Sequence, residues 1–329
     1  RQSRRWTATN SHDGPLNRKR GRRASSLAPS RRGSPFTLRG TRFSLRALHN
    51  VSELPIEVAS TRDRELVRSL ISGDRWITAH ALCDLDDGEF PRTRCYVARR
   101  GSEPIALGME YSGWAPQPLH LYGEPAGVAA ILTHGIKPRA AWVPTPLGGD
   151  PVLDLQYETE KLHPMLRMGV DRRTFTKYTG EAASLVVPLV PADAPSLNRL
   201  YQLGFAAWLP PLAVAEGLYR GIHRNGRLVA AAGTHVIGRR ERIAVVGNVL
   251  TASGFRGAGY ARATTSAVTE GLLAFCDEVV LNVRSDNPAA VKVYESLGYR
   301  VKAEFEERLV IRRTSITLPR FLRRIFGSV

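Results

Sequence analysis

Cysteine is scarce: Cys83, Cys95 and Cys276 are the only three in 329 residues, and no two stand in C-x-x-C spacing. An odd, sparse set gives neither a disulfide framework nor a zinc site. It fits a reducing compartment, and a cytoplasmic location is expected. No apolar run approaches the roughly 18 residues of a membrane span, so no transmembrane helix is predicted. The apolar stretch that a secretory signal places behind its positive charges is also missing. Acidic residues are scarce at both ends. Residues 1–50 hold 13 Lys/Arg and one Asp, and residues 312–329 hold five Arg and no acid. Residues 51–311 hold 29 of each sign, so the whole net charge of +17 sits on the ends. The balanced body is not expected to bind polyanions strongly, which leaves nucleic acid at most a weak partner of the tails.

What is present divides the chain into four expected parts. Residues 1–48, rich in Arg, Ser, Gly and Pro, read as a disordered basic tail. Three roles compete for it: a solvated tail or sequence upstream of the true start, a targeting peptide, and a nucleic-acid-binding arm. Residues 49–170 read as a smaller α+β domain. It has a helix over 55–71, strands over 94–99, 104–111 and 119–122, and a short helix over 127–134. It carries no chemical motif. Residues 145–180 are Pro/Gly-punctuated, and the domain boundary is placed there.

Residues 171–313 form the second domain. Strands are expected over 183–190, 218–223, 227–235, 243–250, 279–283 and 301–311, with helices over 195–203, 260–275 and 287–297. Asn225-Gly226 marks a tight hairpin. Residues 314–329 are a basic amphipathic tail. Phe321, Leu322, Ile325 and Phe326 share a helical face, which suits packing on the chain's own domain or binding to a membrane surface or partner.

Between a strand and a helix stands Arg256-Gly257-Ala258-Gly259-Tyr260-Ala261. Such a loop aims backbone N–H groups at one point, at the positive end of a helix dipole, and suits phosphate oxygens. A Walker A loop would need Gly-Lys-Ser/Thr, where this sequence has Gly-Tyr-Ala-Arg. A dinucleotide fingerprint would need a third glycine at Arg262 and a place after the first strand. Alone, the loop is weak evidence and also fits a tight turn without ligand.

The loop does not stand alone. Val249-Leu250-Thr251 precedes it, and Leu281-Asn282-Val283, Asn287, Tyr294 and Leu297-Gly298-Tyr299 follow in order. This set resembles the GNAT superfamily of acyl-CoA-dependent N-acyltransferases, whose signature is Arg/Gln-x-x-Gly-x-Gly/Ala followed by N-x-x-A-x-x-x-Y-x-x-x-G-F. Tyr299 stands in place of the final Phe. The resemblance covers about residues 183–311 and is nearest to glycine N-acyltransferase-like chains with an additional N-terminal domain. It implies a mixed α/β (α+β) fold with a central twisted mixed sheet. By analogy, residues 51–170 would be a degenerate copy, although they contain no glycine loop.

The resemblance also implies roles. Val249, Leu250 and Thr251 would bond the pantetheine arm through their backbone. Arg256, Gly257, Ala258, Gly259, Tyr260 and Ala261 would hold the pyrophosphate, and Asn287 would touch the cofactor. Tyr294 would protonate the leaving thiolate, chemically sensible for a phenol with a pKa near 10. Taken alone, Tyr294 reads as a core aromatic and Asn287 as an N-cap before Pro288. The strand before the loop has no carboxylate to act as base. His235 is the best titratable candidate, Glu216 a distant one, and Asn248 can orient an amine but not take its proton. The implied activity is N-acetyl transfer from acetyl-CoA to a primary amine by direct attack in a ternary complex, without metal. The acceptor, a small molecule or peptide, is not legible. The alternatives are a non-catalytic acyl-CoA-binding or regulatory module, and nucleic-acid binding through the arms.

Overall fold

Residues 54–113, 115–202 and 209–313 are described by the computed structural model. The basic segment 1–48 and the tail 314–329 lie outside them. The first half runs β1 (Ile56–Thr61), α1 (Arg64–Ile71), α2 (Ala79–Cys83), β2 (Thr93–Arg100), β3 (Glu103–Tyr111), β4 (Gln117–Gly123), α3 (Pro125–Ala130), β5 (Ala140–Thr145), α4 (Pro151–Gln156) and β6 (Tyr157–Asp171). Two expectations are corrected here. The single helix over 55–71 is a strand followed by a helix. Asp63 divides them, its carboxylate capping α1 by accepting from Leu66 N at 3.0 Å. The Pro/Gly-punctuated stretch 145–180, where the domain boundary is expected, contains the 15-residue strand β6. Pro164 made that stretch read as broken, but it lies just beyond the last β11 pairing, Met165 with Arg284, where no ladder bond on that side is lost.

The second half runs β7 (Val187–Pro188), α5 (Ala194–Leu200), α6 (Pro211–Glu216), β8 (Arg220–Arg224), β9 (Arg227–Gly238), β10 (Ile243–Thr251), α7 (Tyr260–Leu273), β11 (Glu278–Arg284), α8 (Pro288–Glu295) and β12 (Arg300–Arg312). The strand expected over 183–190 shrinks to two residues after a 3-10 turn at Glu181–Leu185. Pro188 holds it to the sheet edge. The hairpin at Asn225-Gly226 forms as expected, with φ of 50° and 72°.

All twelve strands among the described residues join one mixed sheet in the order β1-β2-β3-β4-β5-β12-β6-β11-β10-β9-β8-β7. The order is a palindrome of two equivalent halves. From either edge inward the pairings run antiparallel three times, then parallel, then antiparallel. Each half lends its last strand to the other, so that β12 lies between β5 and β6, and β6 between β12 and β11. Residue 170 therefore lies inside a central strand.

Strand alternation sorts the core onto two faces. On the front, Val279, Leu281 and Val283 of β11 pack with Val268 and Leu272 of α7 and Leu297 beyond α8. On the back, Val280 and Val245 pack with Val67 and Ile71 of α1 and Leu82 of α2. Helices of the first half thus cover strands of the second. No described helix is long and apolar enough to cross a membrane.

Candidate functional site

The sheet opens between β10 and β11. Their parallel pairing covers only Ile243–Val246 with Glu278–Leu281, although both strands continue. The cause lies in β10. Its register against β9 shifts between Val245 and Val246 and again between Gly247 and Leu250, and Asn248 takes a φ of 53°. Bulges of this kind bend a strand away from its neighbour. Three side chains hold the bend. Tyr201 Oη donates to Asn248 O at 2.6 Å, Asn248 Nδ2 donates to Tyr219 Oη at 3.1 Å, and Tyr219 Oη donates to Thr234 O at 3.1 Å. Beyond the bulge, Leu250 and Thr251 pair with Ala231 and Ala230 on one side and have no β11 partner on the other. The Thr251 hydroxyl is buried without a hydrogen bond. An open strand edge with an orphaned hydroxyl fits an amide-bearing chain laid along Val249, Leu250 and Thr251.

The glycine loop lies at the end of this edge. Arg256 Nε reaches back to Thr251 O at 3.4 Å. Gly257 and Gly259 have φ of 83° and 76°, the left-handed region that glycine enters at little cost. Gly259 starts α7 without a side-chain cap, and the first helical bond outside the loop runs from Ala263 N to Gly259 O at 2.9 Å. The preceding N–H groups have no intrahelical acceptor and point outward at the positive helix end. Arg256, Gly257 and Ala258 are exposed, while Tyr260 is buried with Ala263 against Ile222 and Val229. The loop therefore rests on the core and presents its backbone to solvent. Sequence reasoning missed Arg224, whose Nε donates to Tyr260 Oη at 2.8 Å and adds a cation at the helix start. A hairpin arginine carries no signal by which to find it.

The equivalent turn in the first half differs. There α3 begins Glu124-Pro125. Pro125 has no N–H, and Glu124 puts a carboxylate, paired with Arg100 at 2.8 Å, where an anion would sit.

Tyr294 and Asn287 belong to α8, on the front of the sheet. Asn287 Oδ1 accepts from Ala290 N at 3.2 Å as the N-cap, which leaves its amide N–H groups for another partner. Tyr294 is 7% exposed, its ring 6.1 Å from that of Tyr299. Tyr299 is tied to Thr269 by a 2.7 Å hydroxyl contact, whereas the Tyr294 hydroxyl has no hydrogen-bond partner among the described residues. Burial pushes the Tyr294 pKa up to about 12, so the phenol keeps its proton.

His235 lies on the other side of the opening. It occupies the β9 bulge opposite Val245 and Val246, and its ring fills the space over Gly247, where a Cβ would come within 1.7 Å of it. Burial lowers its pKa to about 4. Glu216, at the C-terminus of α6, is exposed. Tyr294 from the front and His235 from the back thus flank one opening in the sheet. Tyr201 and Tyr219, which shape it, were missed because a fold-dependent bulge gives them no local pattern.

The FR47-like protein family matches residues 217–309, the segment that contains the bulge, the loop, Asn287 and Tyr294. No curated protein matches the sequence. Solved structures resemble it through both halves. A Drosophila protein matches with TM-score 0.60 at 11% identity, over 77% of this chain and 98% of its own. A GCN5-related N-acetyltransferase from Sphaerobacter thermophilus gives 0.52 at 16%, over 80% and 99%. A tandem GNAT protein from the clavulanic acid biosynthesis pathway gives 0.50 at 13%, over 80% and 100%. The chain has the GNAT acetyltransferase fold.

Proposed function

We propose that the chain transfers an acetyl group from acetyl-CoA to a primary amine, and that the opening between β10 and β11 is where the two meet. The observation that carries this reading is the continuity of three features: the strand edge Val249–Leu250–Thr251, the uncapped glycine loop, and the unbonded Tyr294 hydroxyl. The donor would lie on the front, its pyrophosphate on the N–H groups of residues 256–261 and its amide-bearing arm along β10, with Asn287 beside it. The acceptor would approach from the back.

The amine nitrogen attacks the thioester carbonyl carbon as the N–C bond forms and the C–S bond breaks. Tyr294 gives its proton to the leaving thiolate, and the surplus proton of the nitrogen passes to His235 or to water. His235, its pKa lowered by burial to about 4, is neutral at physiological pH and a weak base. That weakness, with the absence of a carboxylate on β10, favours the second reading, a non-catalytic acyl-CoA-binding module. Tyr294→Phe separates them. For an enzyme, kcat falls by about 10²-fold or more while CoA affinity by calorimetry is unchanged. If no amine in a broad panel consumes acetyl-CoA although CoA binds, the binding-module reading replaces this one.

A further inference from the structure

Beside the opening, two glycines face each other across the sheet. Gly247 of β10 pairs with Gly233 of β9. The His235 ring fills the space over the first and the Tyr219 ring the space over the second, so a side chain at either position would displace a ring. Tyr219 is 2% exposed, and its hydroxyl is therefore brought to the β10 bulge by a fixed ring. A second tyrosine comes from α5. Leu197 and Leu200 of that helix are buried in one cluster with Leu228 and Ala231 of β9. Asn198, 2% exposed, donates through Nδ2 to Ala194 O at 2.7 Å and to Leu209 O at 2.9 Å, while its Oδ1 accepts from Leu209 N at 2.7 Å. The end of α5 is thus clamped to the residue that leads into α6, and Tyr201 leaves it as the C-cap.

The two hydroxyls act on different parts of Asn248. Tyr201 Oη donates to its main-chain oxygen at 2.6 Å, and its side-chain Nδ2 donates to Tyr219 Oη at 3.1 Å. The Asn248–Val249 peptide is trans. A planar trans peptide points its C=O and N–H in opposite directions, so with Asn248 O held on Tyr201 the Val249 N–H points away from that ring. The ladder fixes where it goes. Ala252 N donates to Val229 O at 2.8 Å, and Leu250 pairs with Ala231. Alternation then turns the backbone groups of Ala252 and Leu250 to β9, and those of Thr251 and Val249 to the open edge. Val249 has no partner residue in β9 or β11. A donor arm that starts at the glycine loop and runs back along β10 passes Thr251 first and Val249 last, so its thioester end comes to this N–H.

We propose that Tyr201 is a positioning residue for the acyl transfer: its hydroxyl sets the plane of the Asn248–Val249 peptide, and the Asn248 side chain, held on Tyr219, keeps that plane from turning. This rests on the acyl-transfer reading. As the amine adds to the carbonyl carbon, the carbonyl π pair moves onto oxygen before the C–S bond breaks. An N–H already aimed at that oxygen stabilises the charge without reorganising. A peptide inside a bulge has no ladder to direct it, so side chains must do so. Asn is one of the few residues besides glycine that enter the left-handed region readily, and here its carboxamide is also the anchor. Glycine at this position keeps the backbone angle and loses the anchor.

The test does not depend on knowing the acceptor. Infrared difference spectra of acetyl-CoA, isotopically labelled at the thioester carbonyl carbon and bound to the full chain, report the hydrogen bonding of that carbonyl. Wild type should move the carbonyl band to lower frequency than in solution. Tyr201→Phe, which removes one hydroxyl, should return the band most of the way to its solution value, and Asn248→Gly should do the same. CoA affinity by calorimetry should stay within about twofold in both. With any amine that the wild type acetylates, kcat should fall about tenfold or more at unchanged KM for acetyl-CoA. A purely structural role would lower Tm and CoA affinity together and leave the band of the bound donor in place. That outcome, or a band that binding to the wild type does not move, overturns the proposal and leaves acyl transfer standing. If Tyr201→Phe no longer binds CoA, the band in Asn248→Gly decides. Absence of CoA binding to the wild type overturns the reading beneath it.

Discussion

Tyr294 was legible by its place in a spaced pattern, and its environment adds what spacing lacks: it is a buried tyrosine whose hydroxyl has no hydrogen-bond partner among the described residues, beside Tyr299, which is bonded. His235 was legible only as a titratable residue near a strand end. Its position over Gly247 depends on a bulge that no local sequence rule announces. His80 and His120, with ring centroids 6.3 Å apart, were not legible as a pair, because α2 and β4 meet only in the fold. The histidines have a measurable consequence. The pKa of His120 is 6.5 in an unfolded chain and about 4 in the fold, chiefly through burial. Between these values the unfolded state holds more protons, so stability is complete above about pH 6.5 and falls as pH drops toward 4. The loss from His120 alone is of order 3 kcal/mol. Thermal denaturation between pH 7 and 4.5 should show a falling Tm, and His120→Gln should flatten that fall. An unchanged slope would mean that the ring is solvated in the native protein.

At the scale of elements, the strand–loop–helix unit was read with bounds close to those found, because hydrophobic pattern and glycine placement agree there. The errors came where local and global signals disagree. Residues 55–71 carry helix-forming charge throughout, yet the Asp63 cap divides them, and β6 is rich in charge and contains proline, yet is central. The loop itself should be sensitive. At Gly259 a Cβ would meet the Tyr178 hydroxyl at 2.7 Å, and a φ of 76° strains any other residue by about 1–2 kcal/mol. Gly259→Ala should therefore weaken CoA binding about tenfold in a calorimetric titration. Full affinity in that variant would show that this loop does not hold the donor.

The whole molecule was the least legible scale, since its palindromic sheet follows from pairings more than a hundred residues apart. Its topology makes the halves interdependent: β12 completes the sheet of the first half and β6 that of the second. Residues 54–156 and 172–313, produced as separate fragments, should each fail to give a cooperative unfolding transition, whereas residues 54–313 should unfold in one. Two independent transitions in the fragments would contradict this reading of the sheet.

The halves are alike in topology but not in the turn after their fourth strand, where one has an open glycine loop and the other has Glu124-Pro125. A calorimetric titration of the protein with CoA tests the central claim most directly. The account predicts saturable binding of one CoA per chain; no binding, or two equivalent sites per chain, would contradict it.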